Sequence, residues 1–159
     1  MSLLPFFQWC EASWAGTAIR ESPWAFASIE SVHLLGLATL GGSVLLLDLR
    51  LLGLGLRRSS VAELARDVQP WFNASLVVML VTGVALFLSE PTKCYYSTPF
   101  WVKMGSLLLG TVFSYTVHYR VARAPDTPSM AVRYRLVGLV SLALWFGVGA
   151  GGRWIGFTG

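Results

Sequence analysis

Both histidines of the chain, His33 and His118, lie inside long apolar stretches. Neutral imidazole is a common ligand for haem iron, copper and zinc, and an ionisable group in hydrocarbon is costly unless it is paired or solvated. The other polar groups in the apolar runs are few: Glu30 and Asp48 in the first with His33, Asn73 in the second, and Lys103 in the third. The hydroxyls of Thr111, Ser114 and Tyr115 lead up to His118, and Arg133, Arg135 and Arg153 stand at the ends of the fourth run. Two histidines on different helices suggest a b-type cytochrome with two histidine ligands to one iron. Depth speaks against it. Relative to the middles of their spans the two differ by roughly 15 Å along the membrane normal at the helical rise, whereas one iron needs both nitrogens within bonding reach.

His33 alone is the stronger ligand candidate. It is followed by Gly36, Gly41 and Gly42, which remove side chains from the adjoining turns and let a flat macrocycle or a neighbouring helix approach. At a similar level the sequence places Cys94, Tyr95, Tyr96, Lys103, Met104, Arg153 and Trp154. Basic groups there could hold haem propionates by charge-assisted hydrogen bonds, and Met104 or a water could complete the iron. The alternative is a packed histidine hydrogen-bonded to Glu30 or a serine; Glu30, three residues earlier on the same helix side, is either an interface carboxylate near the headgroups or the group that orients the ring. For His118 the expectation is a structural polar cluster with Asp48 and Asn73, all near the same end of their spans; a second metal or haem site is the alternative. Cys94 either pairs with Cys10 or serves as a metal or haem-adjacent thiolate. Copper bound through His33, Met104 and Cys94 is a further alternative.

The elements that must position these groups follow from composition. Of 159 residues, 55% are hydrophobic and 13% charged, about half the charge of a soluble domain; with 21 aromatic residues (7 Trp, 5 Tyr, 9 Phe), disorder is excluded as well. The chain reads as an all-α integral membrane four-helix bundle, with spans near 23–48, 70–89, 99–120 and 133–155. Ser22-Pro23, Gln69-Pro70 and Thr98-Pro99 are helix starts, while Glu90-Pro91 and the Pro125, Asp126, Pro128 stretch are breaks. Residues 1–22 are too short and polar for a fifth span and lack the basic start of a cleaved signal. They read as an amphipathic interfacial helix with Leu3, Phe6, Phe7, Cys10 and Trp14 on one face. Residues 23–159 form the single bundle.

Lys and Arg set the orientation. Arg50, Arg57, Arg58, Arg66, Arg120, Arg123, Arg133 and Arg135 flank the first and third connections, against Arg20, Lys93, Lys103 and Arg153 on the other side. This bias places the first and third connections in the cytoplasm, with both termini and the connection 90–98 outside. The net charge of +4 is therefore a topology signal, and no nucleic-acid partner is expected. Trp9, Trp14, Trp24, Trp101 and Trp154 form an interfacial belt. Gly147, Gly149, Gly151 and Gly152 make a small-residue surface expected to seat a second copy in a dimer or trimer. No phosphate loop, HExxH or CxxC motif occurs, so hydrolytic and nucleotide-driven chemistry have no support.

The runs ESVHLLGLATLGGSVLLLDLRLLG and TGVALFLSEPTKCYYSTPFWVKM, ending near VHYR, resemble an uncharacterised family of small four-span bacterial inner-membrane proteins over about residues 20–120. The resemblance implies fold and location. A histidine followed by Leu-Leu-Gly in a first membrane helix is more loosely similar to haem-bearing four-helix membrane cytochromes and to membrane domains of copper-resistance proteins. The resulting expectation is a haem b-binding protein of the bilayer for electron transfer or redox sensing, with an unidentified redox partner. A cofactor-free interaction protein and a copper-binding one are the alternatives.

Overall fold

The computed structural model describes residues 3–55, 58–124 and 130–155. Arg57, Pro125, Asp126 and Pro128 of the connections lie outside them. Among the described residues the chain is helical without strands: α1 (Leu4–Glu11), α2 (Trp14–Glu21), α3 (Ala25–Leu51), α4 (Val61–Ser89), α5 (Pro91–Tyr96), α6 (Thr98–Phe113), a π-helical turn (Ser114–His118), α7 (Tyr119–Ala122) and α8 (Ala131–Ile155). Four segments are long and apolar enough to cross a membrane: α3, α4, α6 through α7, and α8. The end of the bundle that carries α1, α2 and α5 is termed outer below, the opposite end inner.

The second span starts nine residues earlier than Pro70 suggests. Ser60 and Glu63 form a reciprocal capping box, with Glu63 N donating to Ser60 Oγ at 3.2 Å and Ser60 N to Glu63 Oε2 at 2.9 Å, so the helix nucleates at Val61. Pro70 then sits inside a 29-residue helix. At about 1.5 Å per residue that is roughly 44 Å, longer than a hydrocarbon core of about 30 Å, so the polar first turns with Glu63, Arg66, Asp67 and Gln69 extend past the apolar layer.

The N-terminal segment is two helices and not one. Ser13 is extended and its hydroxyl accepts from Gly16 N at 3.2 Å, capping α2. Only Phe7 and Cys10 of the expected apolar face turn to the protein; Leu3, Phe6 and Trp14, with Trp9, are exposed. The pair is docked: Arg20 donates to Ser89 O at 2.7 Å and to Glu11 O at 2.8 Å, Thr92 bonds the Glu11 carboxylate, and a Cβ on Gly16 would lie 2.2 Å from Leu88 O. Arg20 thereby satisfies a carbonyl at the end of α4 that has no helical partner.

In the bundle α3 packs on α4 at one side and α8 at the other, and α6 packs chiefly on α8, while the π-turn and α7 close the inner end against α8 and α4. Leu40, Val44, Leu47, Phe72, Leu76, Tyr119, Val137, Trp145 and Val148 make the core, which is concentrated in the middle and inner half. The α6–α8 contact consumes glycines that the sequence assigned to a subunit seam. A Cβ at Gly147 would meet Ser106 Oγ at 2.7 Å, and one at Gly151 would meet Lys103 Cβ at 3.1 Å and Pro99 O at 3.2 Å. Gly149 has nothing within 4 Å, so the seam within one chain explains most of the stripe. Gly147→Val and Gly151→Val are expected to lower the thermal midpoint in detergent, by a loss on the order of 2 kcal/mol, whereas Gly149→Ala should be neutral or gain up to about 1 kcal/mol. Equal effects at all three positions in a melting series would refute this packing.

Candidate functional site

Two polar nodes interrupt the apolar interior, and α3 contributes to both. At the outer node His33 is buried and its Nδ1 lies 2.7 Å from Thr82 Oγ1 of α4. The Thr82 hydroxyl is directed at Val78 O, 2.6 Å away, so toward His33 the same oxygen accepts. Nδ1 therefore carries the imidazole proton and Nε2 keeps its lone pair, the tautomer a metal-ligating histidine adopts when its far nitrogen is held by an acceptor. Among the described residues nothing else bonds the ring. Glu30 does not orient it: that carboxylate is exposed, and Thr82 takes the role.

His33 lines a cavity of about 350 Å³ between α4 and α6. Met79 and Gly83 of α4, Lys103 and Met104 of α6, and the rings of Phe87 and Phe100 share its wall. Gly83 lies beside the imidazole, where a Cβ would come into ordinary van der Waals contact, 3.4 Å from His33 Cε1. Phe7 roofs the outer end, its ring centroid 5.4 Å from Phe87 and 5.1 Å from Tyr95. Leu80, Val84, Trp101 and Met104 are exposed on the outside of the bundle, so the cavity opens sideways, toward the apolar layer. Its size falls in the range of about 300–1,000 Å³ usual for small-ligand sites.

Of the residues the sequence grouped with His33, the structure brings Lys103 and Met104 to this cavity and leaves Cys94, Tyr95 and Arg153 off its wall. Tyr95 packs on Phe7, and its carbonyl accepts from Trp101 Nε1 at 3.1 Å; Arg153 is exposed near the end of α8. Cys10 and Cys94 are both free and buried. Burial, with Glu90 nearby, pushes the Cys94 thiol up to about 11, so at neutral pH it is protonated and a poor nucleophile or metal ligand. Thr82, Met79 and Gly83 were not singled out from the sequence, and Phe7 was assigned there to the interfacial helix and not to the site; the polar Thr82 beside Gly83 in LVTGVALF is the one visible signal.

The inner node joins His118 Nε2 to Asp48 Oδ1 at 2.6 Å, with both residues almost fully buried. The π-turn delivers the histidine. Its wide turn, closed by Tyr119 N to Ser114 O, puts both Ser114 and His118 inside, and Ser114 Oγ accepts from Trp145 Nε1 at 3.2 Å. Asn73 is not part of this node: it is exposed and accepts from Tyr115 Oη at 2.7 Å. Ser141 of α8 stands in its place, facing the Asp48 carboxylate without a hydrogen bond of good geometry. Asp48 follows His33 by fifteen residues of one helix, about 22 Å at the helical rise. The two histidines thus belong to separate levels, and a single iron cannot bridge them. Among the described residues no three or more His, Cys, Asp or Glu gather as a metal cluster.

Together these features define a multi-pass, all-α membrane bundle with a laterally open apolar cavity that His33 lines. The chain belongs to a family of unknown function, DUF6644, whose model matches residues 6–158. No curated protein and no solved structure matches it.

Asp48→Asn and His118→Ala should each lower stability, on the order of 3 kcal/mol, because each leaves a buried partner unmatched. The double variant should lose less than the two losses added. Additive losses in a thermal double-mutant cycle would show that the two side chains are not energetically joined.

Proposed function

We propose that this protein binds haem b in the outer cavity, with His33 Nε2 as an iron ligand, and serves electron transfer or redox sensing. The observation that carries the reading is the His33–Thr82 hydrogen bond, which leaves the lone pair of the other nitrogen available in an apolar cavity. The donor set suits the group. An imidazole and the Met104 and Met79 thioethers are ligands that haem iron accepts, and all three line the cavity. When bound, haem would supply a one-electron couple. Thr82 holds the ring orientation and tautomer, while Phe7, Phe87, Phe100 and Trp101 keep water from the ligand nitrogen. A second reading, a copper(I) site, is favoured by the pairing of two thioethers with one imidazole, a soft set that suits that ion; Cys94 takes no part in it.

Protein purified in mild detergent after expression with ample haem should show a Soret band and reduced α and β bands. His33→Ala should abolish or strongly change them, whereas His118→Ala should retain them, its ring being held by Asp48 some 22 Å away. Haem-free protein that retains copper until Met79→Leu and Met104→Leu are introduced would favour the second reading. A colourless, metal-free preparation would refute both.

The arginine bias supports a place in a bacterial inner membrane, with the outer end facing the periplasm. Cys94 is too buried to report topology. In a background lacking both native cysteines, Tyr96→Cys, at a site 70% exposed, should react with a membrane-impermeant thiol reagent in spheroplasts and Ser59→Cys should not. The reverse pattern would invert the orientation.

A further inference from the structure

Lys103 puts a cation on the wall of the outer cavity with no acid opposite it. Among the described residues it makes no hydrogen bond or ion pair. The titratable groups that feel its charge are His33 and Cys94. Neither supplies a negative charge: the imidazole is neutral in the tautomer Thr82 selects, and the thiol is protonated. The nearest carboxylate along the chain, Glu90, is engaged with Lys93 at 3.5 Å. No Asp or Glu lines the cavity.

The place for this lysine is built. Its stem lies along α8 where two successive residues lack side chains, with Gly151 facing Lys103 Cβ at 3.1 Å and Gly152 facing Nζ at 3.6 Å, both measured from an added Cβ. A side chain at Gly151 would press on the lysine stem, whereas at Gly152 an added Cβ would stand in ordinary contact with it. An ammonium in the apolar layer is costly unless an anion meets it, and no carboxylate among the described residues lines this cavity.

We propose that Lys103 is the receptor for an acidic group on the ligand, so that the outer cavity takes a lipophilic ring compound bearing a carboxylate in preference to its neutral ester. This rests on the reading of the outer cavity as a ligand site, and not on iron ligation. The anion that meets Lys103 has two possible sources, the ligand itself or a phospholipid headgroup, and these give opposite results when the ligand's acid is masked.

The full-length protein in phosphatidylcholine nanodiscs is titrated with metal-free protoporphyrin IX and with its dimethyl ester, binding being read by porphyrin fluorescence anisotropy against empty nanodiscs. The diacid should bind at least about tenfold more tightly than the ester, the scale of one charge-assisted hydrogen bond. Lys103→Gln should remove that preference and Lys103→Arg should keep it, with helix content of both verified by circular dichroism. His33→Ala should keep it too, since the probe carries no iron. Failure of the haem reading, seen as a missing Soret band, therefore leaves this comparison intact. Equal binding of diacid and ester by the wild type, as expected if a headgroup phosphate satisfies Lys103, would overturn the proposal. So would a preference that survives Lys103→Gln.

Discussion

α3 carries an imidazole and a carboxylate into an apolar interior, and the bundle is arranged around the partners those two groups require. His33 and Asp48 are fifteen residues apart, which at about 100° per residue places them within roughly 60° of one another around the helix, about four turns apart. Both therefore face inward, and both fix the rotation of α3. At the outer level a hydroxyl of α4 meets the imidazole. At the inner level a second imidazole, turned inward by a π-helical turn, meets the carboxylate. The cost of leaving such groups unmatched in an apolar medium makes the two contacts register marks for the whole fold.

The two nodes differ in what they leave open. In the inner node the polar atoms Asp48 Oδ2, His118 Nδ1 and Ser141 Oγ are sealed among core side chains. In the outer node the remaining nitrogen of His33 lies on a cavity with a lateral opening. This contrast separates a group that holds helices together from one suited to hold a ligand, although the residue type is the same.

The outer cavity exists because α6 is drawn to α8. Gly147 and Gly151 let α6 approach α8 closely, and the space beside α4 is then lined by side chains from both α4 and α6. The N-terminal helices complete it from above. Arg20 ties them to the end of α4, Gly16 rests against the backbone there, and Phe7 enters the aromatic cluster that caps the cavity. A segment that composition alone would leave on the membrane surface becomes part of the wall of the site.

Hydropathy and helix punctuation, read along the chain, determine four membrane-length helices and put the two histidines at different depths, because burial in lipid and the fixed rise per residue are properties of each segment on its own. The Asp48–His118 pairing was within reach for the same reason, since both lie near one end of their spans. Asn73 shared that level but faces outward, which depends on helix rotation and not on depth. Pro70 as a helix start failed because a capping box upstream is a stronger local signal than a proline that a membrane helix tolerates. The tertiary structure alone decided that Thr82 orients His33, that Met79 and Gly83 join the cavity while Cys94 does not, and that Gly147 and Gly151 of α8 serve α6. Each of these depends on which face of one helix meets which face of another, and an apolar helix of low amphipathicity carries little record of that choice in its sequence.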